Sequence, residues 1–292
     1  RRWSLERDDE SDPGGRIYRD SAGTIYHSVT RILGATAPEE QQKALERWLE
    51  RPGSEADRRS AAHRGTLTHS HAEFLLKTAR KLAASTANKR GGWVTGSDGL
   101  ERCSSKITAW GLKKAVEGTP SAAWSAAGYA RGLRHWILEN VTAIHAIEFS
   151  VSAPLRPRTD GTGLECYDPA QARERSDRVM GFAGSADGLL DIDGTLSICD
   201  WKTTGRSAHS FMGSVLEQYT DQCGGYSIGL TERTGIQVDQ AVIVLARRTG
   251  APAVTIVKGQ QLRDAEQRFL ERCARYFASL QSSAPTELPP AN

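Results

Sequence analysis

Apolar residues in the first half of the chain recur mostly at intervals of three and four, whereas from about residue 146 they alternate or gather in short runs. That change predicts helices first and strands afterwards. An exception comes early: Arg16–Asp20 and Thr24–His27 flank Ser21-Ala-Gly and read as a hairpin. Ser28-Val-Thr then opens a short helix through Leu33, ended by Gly34. Residues 39–51 carry Leu45, Trp48 and Leu49 at helical spacing, 55–88 reads as one or two long helices, and further helices are expected near 106–116 and 122–140. The Gly- and Ser-rich stretch 91–104 and the polar stretch 154–178 are the expected loops.

Beyond residue 146 the predicted order is strand 146–152, strand 181–192, tight turn, strand 195–203, helix 211–233, strands 238–247 and 252–257, and helix 260–281. In the last helix Leu262, Phe269, Leu270, Cys273, Phe277 and Leu280 form a stripe suited to burial. The expected class is α/β, a mixed sheet flanked by helices. On this reading 1–145 is an N-terminal hairpin and helical cap, 146–281 the core, and 282–292 a disordered tail.

One turn fixes a constellation of charged residues. Asp193-Gly194 is a two-residue hairpin signal, so Ile192 should face Thr195, and counting back puts Asp187 opposite Asp200. Opposed residues share a sheet face, and Lys202, two positions beyond Asp200, shares it too. Leu189, Leu196 and Ile198 continue that face, while Leu190, Ile192, Cys199 and Trp201 fill the other. Two acids placed opposite each other repel, so the pair calls for a cation, a shared proton or a neighbouring lysine, and a divalent metal resolves the repulsion best. All-oxygen ligands favour Mg²⁺ or Mn²⁺ over zinc, as one or two ions.

Composition adds a few limits. Of 292 residues, 38% are apolar and 25% charged, ordinary values for a globular protein with a sizeable core. Five cysteines without CxxC spacing suit free thiols better than a disulfide framework or a sulfur-ligated metal. No apolar run is long enough to cross a bilayer and no secretory signal opens the chain, so a cytoplasmic location and no membrane partner are expected. Organellar targeting stays open because the chain begins at an arginine. The net charge of +3 names no partner, but Arg58, Arg59, Arg64, Lys77, Arg80, Lys81, Lys89 and Arg90 face only Glu73 as a counter-acid between residues 58 and 90. Such a stretch is either a solvated helix face or one that follows a phosphate backbone, and on the second reading Arg64, Lys77, Arg80 and Lys81 are the DNA-binding candidates. Trp93 and Trp110 are candidates for stacking on bases.

Taken in order, these motifs resemble the RecB-type branch of the PD-(D/E)xK nucleases. Ser28-Val-Thr and Gly65-Thr-Leu-Thr-His69 look like the family's "SVT" and "G-T-x-x-H" motifs. Ile147-Glu148, Gly184-Ser-Ala-Asp187, Asp200-Trp-Lys202-Thr203 and Gln222-Cys-Gly-Gly-Tyr226 look like its "vE", "G-x-x-D", "D-x-K-T" and "Q-x-x-x-Y" motifs. The resemblance implies a restriction-endonuclease-like fold in which His69, Asp187, Asp200 and the Trp201 carbonyl bind metal. Lys202 would be catalytic with the two aspartates, Glu148 would assist, and Gln222 and Tyr226 would position the site or the strand. It is nearest to single-domain exonucleases like the mitochondrial genome-maintenance and phage enzymes, which implies attack from free ends of single-stranded DNA. No cysteine cluster flanks the core, so no iron-sulfur cluster is expected. An endonuclease on the same fold and a DNA-binding protein without catalysis remain alternatives, as does RNA as substrate.

Overall fold

The computed structural model describes residues 5–9, 12, 15–118, 127–167, 180–205 and 213–282. Strands β1 (Glu6–Asp8), β2 (Ile17–Arg19) and β3 (Ile25–Ser28) lead into helices α1 (Val29–Ala35), α2 (Glu39–Leu49) and α3 (Ser54–Arg90). Next come β4 (Trp93–Thr95), β5 (Glu101–Cys103), α4 (Ser105–Glu117) and α5 (Ala127–Asn140). The remainder is β6 (Val141–Pro157), β7 (Leu164–Cys166), β8 (Met180–Ile192), β9 (Thr195–Thr204), α6 (Ser214–Thr234), β10 (Gln240–Arg247), β11 (Ala253–Lys258) and α7 (Gln260–Ser282).

Alternation along the strands decides the layering. In β10, Ala241, Ile243 and Leu245 join a core cluster with α1, α6 and α7, while Val242, Val244 and Ala246 join a second with α3, α4 and α5. Leu189 and Ile198 fall in the first cluster, and Leu190, Ile192, Cys199 and Trp201 in the second, as their register predicts. The result is an α/β fold with a mixed central sheet between two helical layers. β9 and β10 run parallel, joined by the crossover helix α6, the connection that a parallel pair requires. Among the described residues no helix is long and apolar enough to cross a membrane.

Local chemistry explains most boundaries. Ser28 caps α1, its hydroxyl accepting from the Arg31 N–H at 3.0 Å. α1 ends at Ala35, one residue past the expected stop at Gly34. Gly91, at φ 66°, closes α3 in the left-handed conformation that glycine adopts without strain. Asp193 and Gly194 both have positive φ, the requirement of the tight hairpin turn.

Three expectations are corrected. The predicted hairpin is not part of a separate cap: β3 pairs in parallel with β8 at His27–Phe182 and Ser28–Ala183, so β1–β3 extend the central sheet. The expected loop 91–104 contains the hairpin β4–β5. Its strands are three residues long, too short for a periodic signal, and it is tied down by Arg102, which donates to the buried Asp191 at 2.7 Å. β6 starts five residues before the expected 146 and runs to Pro157, inside the expected loop 154–178. Register shifts between Val141 and Ala143 and between Ile144 and Ala146 break its alternation and hide it from a period-two reading. Parts of the predicted segments 122–140, 154–178 and 211–233, and the tail from 283, lie outside the described residues.

Candidate metal and acid–lysine centre

Four elements converge where β8 and β9 separate. The ladder counted from the turn runs from Ile192–Thr195 to Gly188–Cys199, and one further step brings Asp187 and Asp200 to the same level. On the other side of β8, β6 pairs Ile147 with Gly188 and Phe149 with Ala186, which sets Glu148 across from Asp187. Three carboxylates thus lie in a row on three neighbouring strands. Helix α3 adds His69, and its Gly65 approaches Thr203 at the end of β9.

Asp187 is the anchor. It is 6% exposed; its Oδ1 lies 3.0 Å from His69 Nδ1, and its Oδ2 accepts the Trp201 N–H at 2.5 Å. Burial works against its charge, but His69 and then Lys202 hold its pKa below the ordinary value. Burial, reinforced by Asp187, raises Asp200 despite Lys202, whose Nζ lies 2.6 Å from Asp200 Oδ2. Burial opposes the Lys202 charge as well, yet Asp200 and Asp187 keep it above its usual value. The same ammonium sits 4.9 Å from the centre of the Tyr219 ring, a cation–π contact. Tyr219 was missed in the sequence, although it lies three residues before Gln222 and so shares its helix face.

Glu148 has φ 48°; apart from Asp193 in the turn, it is the only non-glycine residue with positive φ among the described residues. Such a conformation costs on the order of 1–3 kcal/mol and persists only where the surroundings impose it. Burial, then repulsion by Asp187, pushes its carboxyl up to about 7. Donor atoms of His69, Glu148 and Asp187 lie within 4.8 Å of one another, a set that can hold a metal ion.

This triplet contains Glu148 where the resemblance implied Asp200, whose carboxylate is turned to Lys202. Trp201 offers the site its N–H, while its ring packs against Trp136 with centroids 5.9 Å apart. The donors nevertheless fit a hard divalent ion: they are carboxylate oxygens with one imidazole nitrogen.

Neither a protein-family model nor a curated protein matches the chain. Among solved structures, the protein SSO0001 is similar at 13% identity and a TM-score of 0.29, over 63% of this chain and 79% of its own. A protein of Eubacterium rectale named "Putative exonuclease" is similar at 10% identity and a TM-score of 0.36, over 78% of this chain and 77% of its own. At that level of likeness the chemistry rests on the geometry of the site itself.

Gln222 and Tyr226 sit behind the centre. Gln222 Nε2 donates to the Tyr226 hydroxyl at 2.6 Å, and both are buried. The Tyr226 ring packs on the backbone of Gly184, where an added Cβ would lie 2.6 Å from Cε1. Gly184→Ala is therefore expected to destabilise the fold by roughly 1–3 kcal/mol, read as a fall of several degrees in Tm by calorimetry. An unchanged Tm would mean that the ring does not rest on that backbone.

The four basic candidates do not form one patch. Arg64 lies over the Tyr129 ring at 5.2 Å, near Gly205 at the end of β9. Lys77, Arg80 and Lys81 lie three to five turns further along α3 and line a shallow groove with Ile147. Trp93 and Trp110 are both half-exposed but separate, Trp110 sitting beside Phe74 on another face.

Proposed function

We propose that this chain is a divalent-metal-dependent nuclease of the PD-(D/E)xK type that hydrolyses DNA phosphodiester bonds, working from free ends of single strands. The observation that carries the reading is the meeting of His69, Glu148 and Asp187 with a lysine–aspartate pair where β8 and β9 part. Two acids and a lysine held against mutual repulsion and burial serve no packing purpose, and together they match what phosphodiester hydrolysis needs.

When bound at these donors, Mg²⁺ or Mn²⁺ supplies water activation and neutralises phosphoryl charge. The protein's own groups do the rest. The Trp201 N–H and His69 fix the Asp187 carboxylate in one orientation. Glu148, across from Asp187 on the neighbouring strand, is placed to take a proton from the attacking water. Lys202 Nζ, held between Asp200 and Tyr219, faces the charge that develops on the phosphoryl oxygens. The groove lined by Lys77, Arg80 and Lys81 passes Ile147, the neighbour of Glu148, and offers a path for the backbone of a single strand.

End-labelled single-stranded, duplex and closed-circular DNA, incubated with Mg²⁺, Mn²⁺ or EDTA, tests this directly. Metal-dependent shortening of linear single strands with circles spared is the expected result. Cutting of circles would replace the exonuclease reading by an endonuclease. No cleavage of any DNA by the folded protein would defeat the nuclease reading.

A further inference from the structure

Beyond the groove, alongside β6, lies a cavity of about 710 Å³, within the size range of small-molecule sites. Its walls come from α3, the β4–β5 hairpin, α4, β6, β8 and the end of α6. Arg80, Arg102 and Arg233 line it against one acid among its lining residues, Glu101; Arg102 is paired with Asp98 and Asp191 and Arg233 donates to the Ser150 carbonyl, so Arg80 is the arginine offered to an anion. Two aromatic rings also reach it. Phe149 follows Glu148 directly in β6, and the half-exposed indole of Trp93 is fixed by its Nε1 donating to Asn88 Oδ1 at 2.9 Å.

Two further features point to a ligand. Arg102 Nε and the Thr108 hydroxyl, both on lining residues, are buried and have no hydrogen-bond partner among the described residues. Unsatisfied buried polar groups are costly, and a threonine in a helix has a second χ1 well through which the Thr108 hydroxyl can turn towards an occupant. In addition, Arg80 and Ala84 line both the cavity and the groove beside Ile147, so the two are neighbours, and Ile147 directly precedes Glu148 in β6.

We propose that this cavity is a second nucleotide site, which seats one base and its phosphate from the same strand whose scissile bond lies at the acid–lysine centre. Trp93 and Phe149 provide stacking surface, Arg80 meets the phosphate, and Thr108 offers a hydrogen bond to the base. The choice of a nucleotide as ligand rests on the nuclease reading; the shape and charge of the cavity do not.

Binding in EDTA separates the two ideas. Labelled oligothymidylates of increasing length are titrated into the full chain, with thymidine monophosphate as a competitor, and the cleavage assay is run in parallel. The expected result is a step in affinity at the length that reaches the cavity. Trp93→Ala and Thr108→Val should each abolish that step, weakening the longer strands by about tenfold for the lost stacking contact and about fivefold for the lost hydrogen bond. Tm measured on both variants checks that the chain remains folded. Affinity that grows smoothly with length and is unaltered by either variant would overturn the second site, even if cleavage is seen. A step lost in the variants, with no cleavage by the wild type, would uphold the site and defeat the nuclease reading. Displacement of long strands by stoichiometric monophosphate, without a step, would overturn the proposal in favour of a site for free nucleotide.

Discussion

Lys202→Ala is expected to reduce metal-dependent hydrolysis by roughly 10²–10³-fold, the cost of removing one oriented donor aimed at developing charge. The loss should fall on kcat rather than KM, because the ammonium is placed for charge that appears in the transition state. Its position is narrowly set: Asp200 Oδ2 lies 2.6 Å away and the Tyr219 ring 4.9 Å away. The variant should still fold. Burial and Asp187 already raise Asp200, and with Lys202 gone nothing of comparable strength lowers it, so Asp200 takes a proton instead of remaining a lone buried charge. Lys202→Arg should not restore the rate, since a planar guanidinium cannot occupy the place of a compact ammonium. Circular dichroism and kinetics on both variants check this. A folded alanine variant with a near-normal rate would remove Lys202 from the chemistry.

The parts of this centre differ in how legible they were. Asp187, Asp200 and Lys202 could be aligned from the sequence because Asp193-Gly194 sets the register, and the ladder follows it as far as Gly188–Cys199, one step short of the two aspartates. The same arithmetic sorted Leu189 and Ile198 from Leu190, Ile192, Cys199 and Trp201 into opposite layers. The local backbone of Glu148 was out of reach: its φ of 48° reflects tertiary constraint in a strand whose register shifts twice upstream. The ties of Arg102 and His145 to Asp191 span 89 and 46 residues, so no local pattern announces them. The N-terminal strands were recognised as a hairpin, but their partner, β8, lies more than 150 residues away. Short-range geometry was legible; long-range pairing and backbone strain were not.

The acid cluster also predicts an unusual coupling of stability, pH and metal. Glu148 is raised from an ordinary 4.5 to about 7, by burial and then by Asp187. Burial raises Asp200 as well, and at His69 burial opposes the imidazolium but Asp187 outweighs it, so that pKa is raised too. A group whose folded pKa lies above its unfolded value gives stability that is complete below the unfolded pKa and lost as pH rises through the folded one. All three therefore weaken the metal-free fold as pH rises, with the Glu148 share lost between about 4.5 and 7. Asp187 has the opposite sign, since its lowered pKa gives stability that is lost only as pH falls below its ordinary 3.8. His27 and His71, lowered by burial, favour the fold as pH rises, so the comparison that isolates the cluster is wild type against Glu148→Gln. In EDTA, Tm of the variant should exceed that of the wild type at pH 8 and approach it at pH 5. Adding Mn²⁺ should reverse the order at pH 8, because the ion binds deprotonated ligands and stabilises the folded state by about 2.7 kcal/mol at a hundredfold excess over Kd. Identical pH profiles for the two proteins, unmoved by Mn²⁺, would mean that the carboxylates neither repel one another nor hold a cation.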